Sequence, residues 1–145
     1  DRMRADLDVV IASVRSGFDQ NEDLLTRRIL TAMENEHVDI IGHPTGRLLL
    51  RRPAYAIDLD RVMEHAAVTG TALEINASPH RLDLEDIYIR RAKKRGVRLA
   101  AGTDAHRAGE FSNMYYAVLL ARRGWCAPDD VVNTLTLSEL MGWSA

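Results

Sequence analysis

Cysteine is almost missing from this chain. Its single example, Cys126, cannot close an internal disulfide, so nothing in the sequence points to an oxidising compartment. Long apolar runs are missing too: none approaches the roughly 20 residues that a membrane-spanning helix needs. The opening residues Asp1-Arg2-Met3-Arg4-Ala5-Asp6 contain no apolar stretch of the kind a secretory signal carries. These absences lead us to expect a cytoplasmic chain without a membrane partner. No initiator methionine stands at the start, which raises the expectation that the 145 residues come from something longer. Nor is there an excess of charge of one sign. A formal net charge of −2 does not mark the whole chain as a nucleic-acid binder.

What is present is ordinary for one globular domain: 46% hydrophobic and 28% charged residues. Basic residues do cluster, at Arg47, Arg51 and Arg52, at Arg90, Arg91, Lys93, Lys94 and Arg95, and at Arg122 and Arg123. The second and third clusters suit solvated helix faces and helix ends, where positive charge complements the dipole. The first lies in a loop.

Four short apolar runs read as buried strands, at 9–14, 38–42, 72–76 and 97–101. Each is followed by a helical pattern. The first spans 21–36, with Asn21 as N-cap and Leu24, Leu25, Ile29 and Met33 on one face. The others span 58–69, 83–95 and 110–123, ended by Gly70, Gly96 and Gly124. Two short C-terminal helices are predicted to open at Pro128-Asp129 and at Ser138-Glu139. No Pro/Ser-rich linker interrupts the series. Four β-α units predict an α/β fold with parallel strands, either an open doubly wound sheet or part of a (β/α) barrel. A full barrel takes about 250 residues, so four units would be about half of one. Half a barrel leaves unpaired strand edges, which leads us to expect that residues 1–145 are the C-terminal portion of a domain whose N-terminal part lies ahead of Asp1.

In such sheets, sites assemble at the carboxyl ends of the strands. Here those ends carry Arg15-Ser16, His43-Pro44, Asn76 and Thr103-Asp104-Ala105-His106. His43, Asp104 and His106 are the candidate metal ligands and catalytic residues. Imidazole and carboxylate together suit zinc, manganese or iron. Structural alternatives are a buried histidine for His43 and a helix cap for Asp104. Arg47, in the turn-forming loop after His43, and His80 and Arg81, in the loop after Asn76, are candidates to hold a phosphate group. Solvation is the alternative for Arg51, Arg52 and Arg81. His65, within a helix, and His37, at a helix end, are read as structural.

Several strings resemble the PHP (polymerase and histidinol phosphatase) domain. They are Ile11-Ala12-Ser13-Val14-Arg15-Ser16-Gly17-Phe18, Gly42-His43-Pro44-Thr45-Gly46-Arg47, the stretch from Leu73 to Asp83, and Gly102-Thr103-Asp104-Ala105-His106. The run from Glu74 to Asp83 is most similar to the version at the C-terminus of bacterial family X DNA polymerases. The resemblance implies the C-terminal part of a distorted (β/α)₇ TIM-like barrel that holds up to three divalent ions, manganese or zinc. His43, Asp104 and His106 would each ligate one. It also implies metal-dependent 3′–5′ exonuclease or related phosphoesterase activity on DNA, at a 3′ end or single strand. The N-terminal part of the barrel and a polymerase domain would lie in the same chain.

The sequence departs from that family in two ways. The family's N-terminal His-x-His, a further histidine and a bridging glutamate have no counterpart, and Arg15 stands where the family has a histidine. Arginine offers a metal no lone pair and repels a cation, whereas it can hold a phosphate. Two further readings follow: a degenerate barrel that supports or positions DNA without catalysis, and a phosphomonoesterase of the histidinol-phosphatase type. Asn76 and Arg15 join Arg47, His80 and Arg81 as candidate substrate contacts.

Overall fold

The computed structural model describes residues 6–144. Four strands, β1 (Ile11–Ala12), β2 (Ile40–Ile41), β3 (Ala72–Asn76) and β4 (Leu99–Gly102), form one sheet in the order of the sequence. Every pairing is parallel, with Ile11 beside Ile40, Ile40 beside Ala72, and Glu74 beside Ala100. Helices α1 (Glu22–Met33), α2 (Leu59–Thr69) and α3 (Asp86–Lys94) make the crossovers, and α4 (Met114–Arg123) follows β4. Sequential parallel strands joined by helices are consistent with part of a TIM-like barrel, as the repeating pattern predicts.

The side-chain period of two along each strand separates two apolar layers. Leu73, Ile75, Ile41 and Leu99 pack outward against Leu25, Ile29, Met33, Val62, Met63 and Ile89 of the helices. Ile40, Ala72 and Ala100 face inward and meet Val132, Leu135 and Trp143 of the C-terminal segment. Glu74 and Asn76 share that inward side of β3, beyond Ala72. This alternation delivers polar side chains to the carboxyl end of a sheet that is otherwise apolar.

Local chemistry fixes the helix ends. Asn21 caps α1, its side chain accepting from Leu24 N at 2.9 Å, and Asp58 caps α2 through Arg61 N at 3.1 Å. Gly70 and Gly96 turn left-handed after α2 and α3 (φ 79° and 76°), which only glycine does without cost. Gly124 ends α4 for a different reason. Its φ is ordinary, but a Cβ there would collide with Ile89, so its small size lets α4 approach α3. The basic clusters are knitted into helix–helix ion pairs: Arg91 and Arg95 meet Asp60, Lys93 meets Asp130 at 2.9 Å, and Arg123 meets Asp86 at 2.6 Å.

Several boundaries differ from the sequence-based expectation. β1 keeps two residues rather than six, since it is the edge strand and Val10 N is taken by the Asp39 carboxylate at 2.7 Å. Helix α3 starts at Asp86, not Asp83, because Asp83 is pulled into the core by backbone pairing with Asn76. The stretch Ala108–Asn113 is a 3₁₀ helix ahead of α4, and Pro128–Asp130 is a single 3₁₀ turn. The last helix, α5 (Leu137–Trp143), is opened by Thr136 rather than Ser138, through a reciprocal capping box with Glu139.

Candidate active site at the strand ends

His43 follows β2 in a left-handed conformation (φ 31°), and Asp104 follows β4 in another (φ 51°). Non-glycine residues pay about 1–3 kcal/mol for such backbones and keep them only where the surroundings enforce it. The enforcement is visible at His43. Its N–H donates to Glu74 Oε2 at 2.6 Å, and the turn closes where Gly46 N donates to His43 O at 2.9 Å. The imidazole is 4% exposed, and neither Nδ1 nor Nε2 has a hydrogen-bond partner among the described residues. Burial, then the neighbouring Arg81 guanidinium and also that of Arg15, lowers the His43 pKa below its ordinary value and keeps the ring neutral. A buried, neutral ring, with a proton on one nitrogen and a free lone pair on the other, is the form that ligates a metal.

Asp104 accepts from Arg81 Nε at 3.2 Å and is three-quarters buried. His106 is exposed. Its Nδ1 lies 2.8 Å from the Asp104 carbonyl oxygen, and its N–H donates to Glu110 Oε2 at 2.7 Å. A carbonyl oxygen only accepts, so Nδ1 donates there and Nε2 is the ring atom left to offer a lone pair. The three side chains thus offer metal-ligating atoms on one rim. Among the described residues, however, no group of three or more His, Cys, Asp or Glu side chains gathers closely enough to hold an ion by itself. The donor chemistry fits a divalent cation; these three residues do not make a closed cage.

The candidate phosphate contacts divide. Arg15 is exposed at the end of β1, its Nε donating to Ser13 Oγ at 3.0 Å, and His80 is exposed in the loop after β3. Arg81 sits at the rim, shared between Asp104 and the Arg47 carbonyl. Arg47 is differently employed. Its guanidinium donates to the Arg81 carbonyl at 2.8 Å, to the Leu82 carbonyl and to Glu85, so it braces one loop against the next. Asn76 is fully buried, donating to Glu74 Oε2 at 3.1 Å and accepting from Ser78 N at 3.0 Å. Arg52 donates to Gly46 O at 2.6 Å and stacks 3.9 Å over the Phe18 ring.

Two carboxyl groups at this site are not among the candidate site residues read from the sequence. Glu74 is 6% exposed; burial raises its pKa against the bonds from His43 and Asn76 that favour the carboxylate. Asp83 is fully buried and accepts from Thr45 N at 3.0 Å, and burial pushes its pKa up to about 6. The signal for each was an acid flanked by apolar residues, Leu73-Glu74-Ile75 and Leu82-Asp83-Leu84. Gly102, at the end of the neighbouring strand, makes room for the first, since a Cβ there would collide with Glu74 Oε1.

A parallel α/β sheet with imidazole, carboxylate and guanidinium groups gathered at its strand ends has the architecture of a barrel hydrolase. Comparison with known proteins narrows that class. The chain is 45% identical over 140 residues, 97% of its length, to the DNA polymerase/3′-5′ exonuclease PolX of Bacillus subtilis (strain 168). It is 40% identical over 115 residues to a probable phosphatase of Caldanaerobacter subterraneus subsp. tengcongensis, with 73% of the chain matched. It is 33% identical over 137 residues to one of Thermoanaerobacter sp. (strain X514), with 88% matched. No family model matches the chain. It belongs to the PHP-domain phosphoesterases and is related to the PHP domains of family X DNA polymerases. The match spans 25% of the polymerase, and 43% and 54% of the two phosphatases.

Proposed function

We propose that this chain is part of a metal-dependent phosphoesterase that hydrolyses DNA from a 3′ end, as the name of its Bacillus relative describes for that protein. The observation that carries this reading is the His43 imidazole, buried, neutral and with both ring nitrogens unpartnered among the described residues. His43, Asp104 and His106 would hold divalent manganese or zinc, with further ligands from the N-terminal part of the barrel. A polymerase domain in the same chain would bring the DNA, in the cytoplasm. Such an ion, when bound, polarises a phosphoryl oxygen and acidifies a water. The remaining work falls to the protein. Arg81 orients the Asp104 carboxylate, and the His106 Nδ1–H bond to the Asp104 carbonyl aims Nε2 outward. Arg15, Arg81 and His80 would meet the phosphate oxygens. Asn76 and Arg47 would act indirectly, through Glu74 and through the loop that bears Arg81.

Digestion of a 3′-labelled primer by the full-length protein with manganese tests the reading. His43→Ala and Asp104→Ala should each lower the rate by about 10²-fold or more, the scale on which lost metal-assisted catalysis is felt. Unchanged digestion would remove both residues from the reaction.

Two rival readings rest on their own observations. The positive charge that Arg81 and Arg15 bring to the surroundings of His43, with Asp104 already paired to Arg81, favours a structural or DNA-positioning module without catalysis. The probable-phosphatase names of two relatives favour a phosphomonoesterase. Comparing a small phosphomonoester with the primer as substrate separates all three.

A further inference from the structure

The loop that bears His43 is held on buried carboxyl groups. On the inward side of β3, the Glu74 carboxylate reaches past the strand ends and receives the His43 N–H at 2.6 Å and the Asn76 amide at 3.1 Å. Its space is made by glycine: a Cβ on Gly102 would collide with Glu74 Oε1. Two residues further along the loop, Thr45 N donates to Asp83 Oδ2 at 3.0 Å, and the Thr45 hydroxyl and Gly46 N–H also face that carboxyl. Asp83 is itself fixed by backbone bonds to Asn76, its N–H donating to Asn76 O at 3.1 Å. Tyr55 completes the seat, its hydroxyl donating to Pro44 O at 2.9 Å and its N–H to Thr45 O at 3.1 Å. None of these groups supplies a bond to the imidazole.

We infer that Glu74 and Asp83 are positioning residues: by binding the alternate N–H groups of His43 and Thr45 they hold His43 in its left-handed backbone and present its ring, unpartnered, to the ligand at the rim. This rests on the reading of His43 as a metal ligand. A purely structural role would not need two buried acids on one four-residue turn, since each carboxyl gives up solvation to be there. Groups that orient a ligating histidine commonly change metal affinity by 10–100-fold.

The test uses the full-length protein with Glu74→Ala and Asp83→Ala, which remove the oxygens that accept the His43 and Thr45 N–H groups. Manganese affinity should fall about tenfold or more in each. In a His43→Ala background, neither substitution should weaken manganese further, because the group being positioned is gone. Gly102→Ala, which crowds the Glu74 carboxyl without changing its chemistry, should reproduce the Glu74→Ala loss and serves if that variant does not fold. Equal losses with and without His43, or none in either background, would overturn the inference. A wild-type protein that binds no manganese would sink the metal reading instead. The His43 ring signal in NMR then decides: a single narrow Cε1–H resonance that splits or broadens in the variants supports positioning, and an unchanged one overturns it.

Discussion

At the scale of single residues, the site is made by what surrounds each side chain more than by its type. His43, Asp104 and Arg81 were readable as a rim group because they stand just after strand-like runs. Their electrostatic states were not. That Asp104 is paired with Arg81 while both His43 nitrogens are free depends on contacts between residues 23 or more apart in sequence. Arg47 shows the same limit: a loop arginine suits phosphate, yet its donors are engaged by Leu82, Arg81 and Glu85. Asp83 was read as part of a helix because an acid after an apolar strand so often opens one. It carries a pH consequence. Burial raises its native pKa from 3.8 to about 6. Between those values the native state holds the proton more tightly than the unfolded chain, so this group's contribution to stability is greatest below about pH 4 and falls as pH rises through about 6. Urea titrations across that window should show this fall, at most about 1.4 kcal/mol per pH unit from this group. Asp83→Asn should remove that component, and an unaltered slope would exclude Asp83 as its source.

At the scale of elements, the helices were legible because short-range chemistry sets them. Asn21, Asp58, Gly70 and Gly96 cap or stop helices where the sequence places them. Strand lengths were harder, since two residues of ladder in β1 and β2 depend on whether a neighbour is there to pair. The least legible element is the one that covers the outer edge of β4. Val131 pairs in parallel with Leu99, and the Asn133 side-chain amide both accepts from Ala101 N at 2.7 Å and donates to Ala101 O at 3.0 Å. A side chain thus stands in for a strand's backbone, capping an edge that would otherwise invite unwanted pairing. Asn133→Ala should cost about 1 kcal/mol in urea unfolding and raise hydrogen exchange at Ala101. Exchange at Ala101 equal to that of the wild type would show that the amide does not protect the edge.

At the scale of the whole molecule, the alternation of strand and helix was enough to predict a parallel α/β sheet, and the sheet carries its site at one end, as the pattern requires. The inner face was not predictable. Ile40, Ala72 and Ala100 are covered by Val132, Leu135 and Trp143 from the far end of the chain, with the Trp143 ring N–H donating to Gly70 O at 3.2 Å. Beyond that cover, Glu74 looks into a hollow of about 220 Å³ bounded by Ile11, Ile40, Gly102 and Trp143. Among the described residues no helix is long and apolar enough to cross a membrane.

The central claim about this rim is that His43 serves a cation there. Metal content of the full-length protein, dialysed against manganese and then against metal-free buffer, measures that directly. The wild type should retain bound metal, His43→Ala should retain less, and Arg15→His, which exchanges a fixed cation for a lone pair, should retain more. Identical metal content in all three proteins would contradict it.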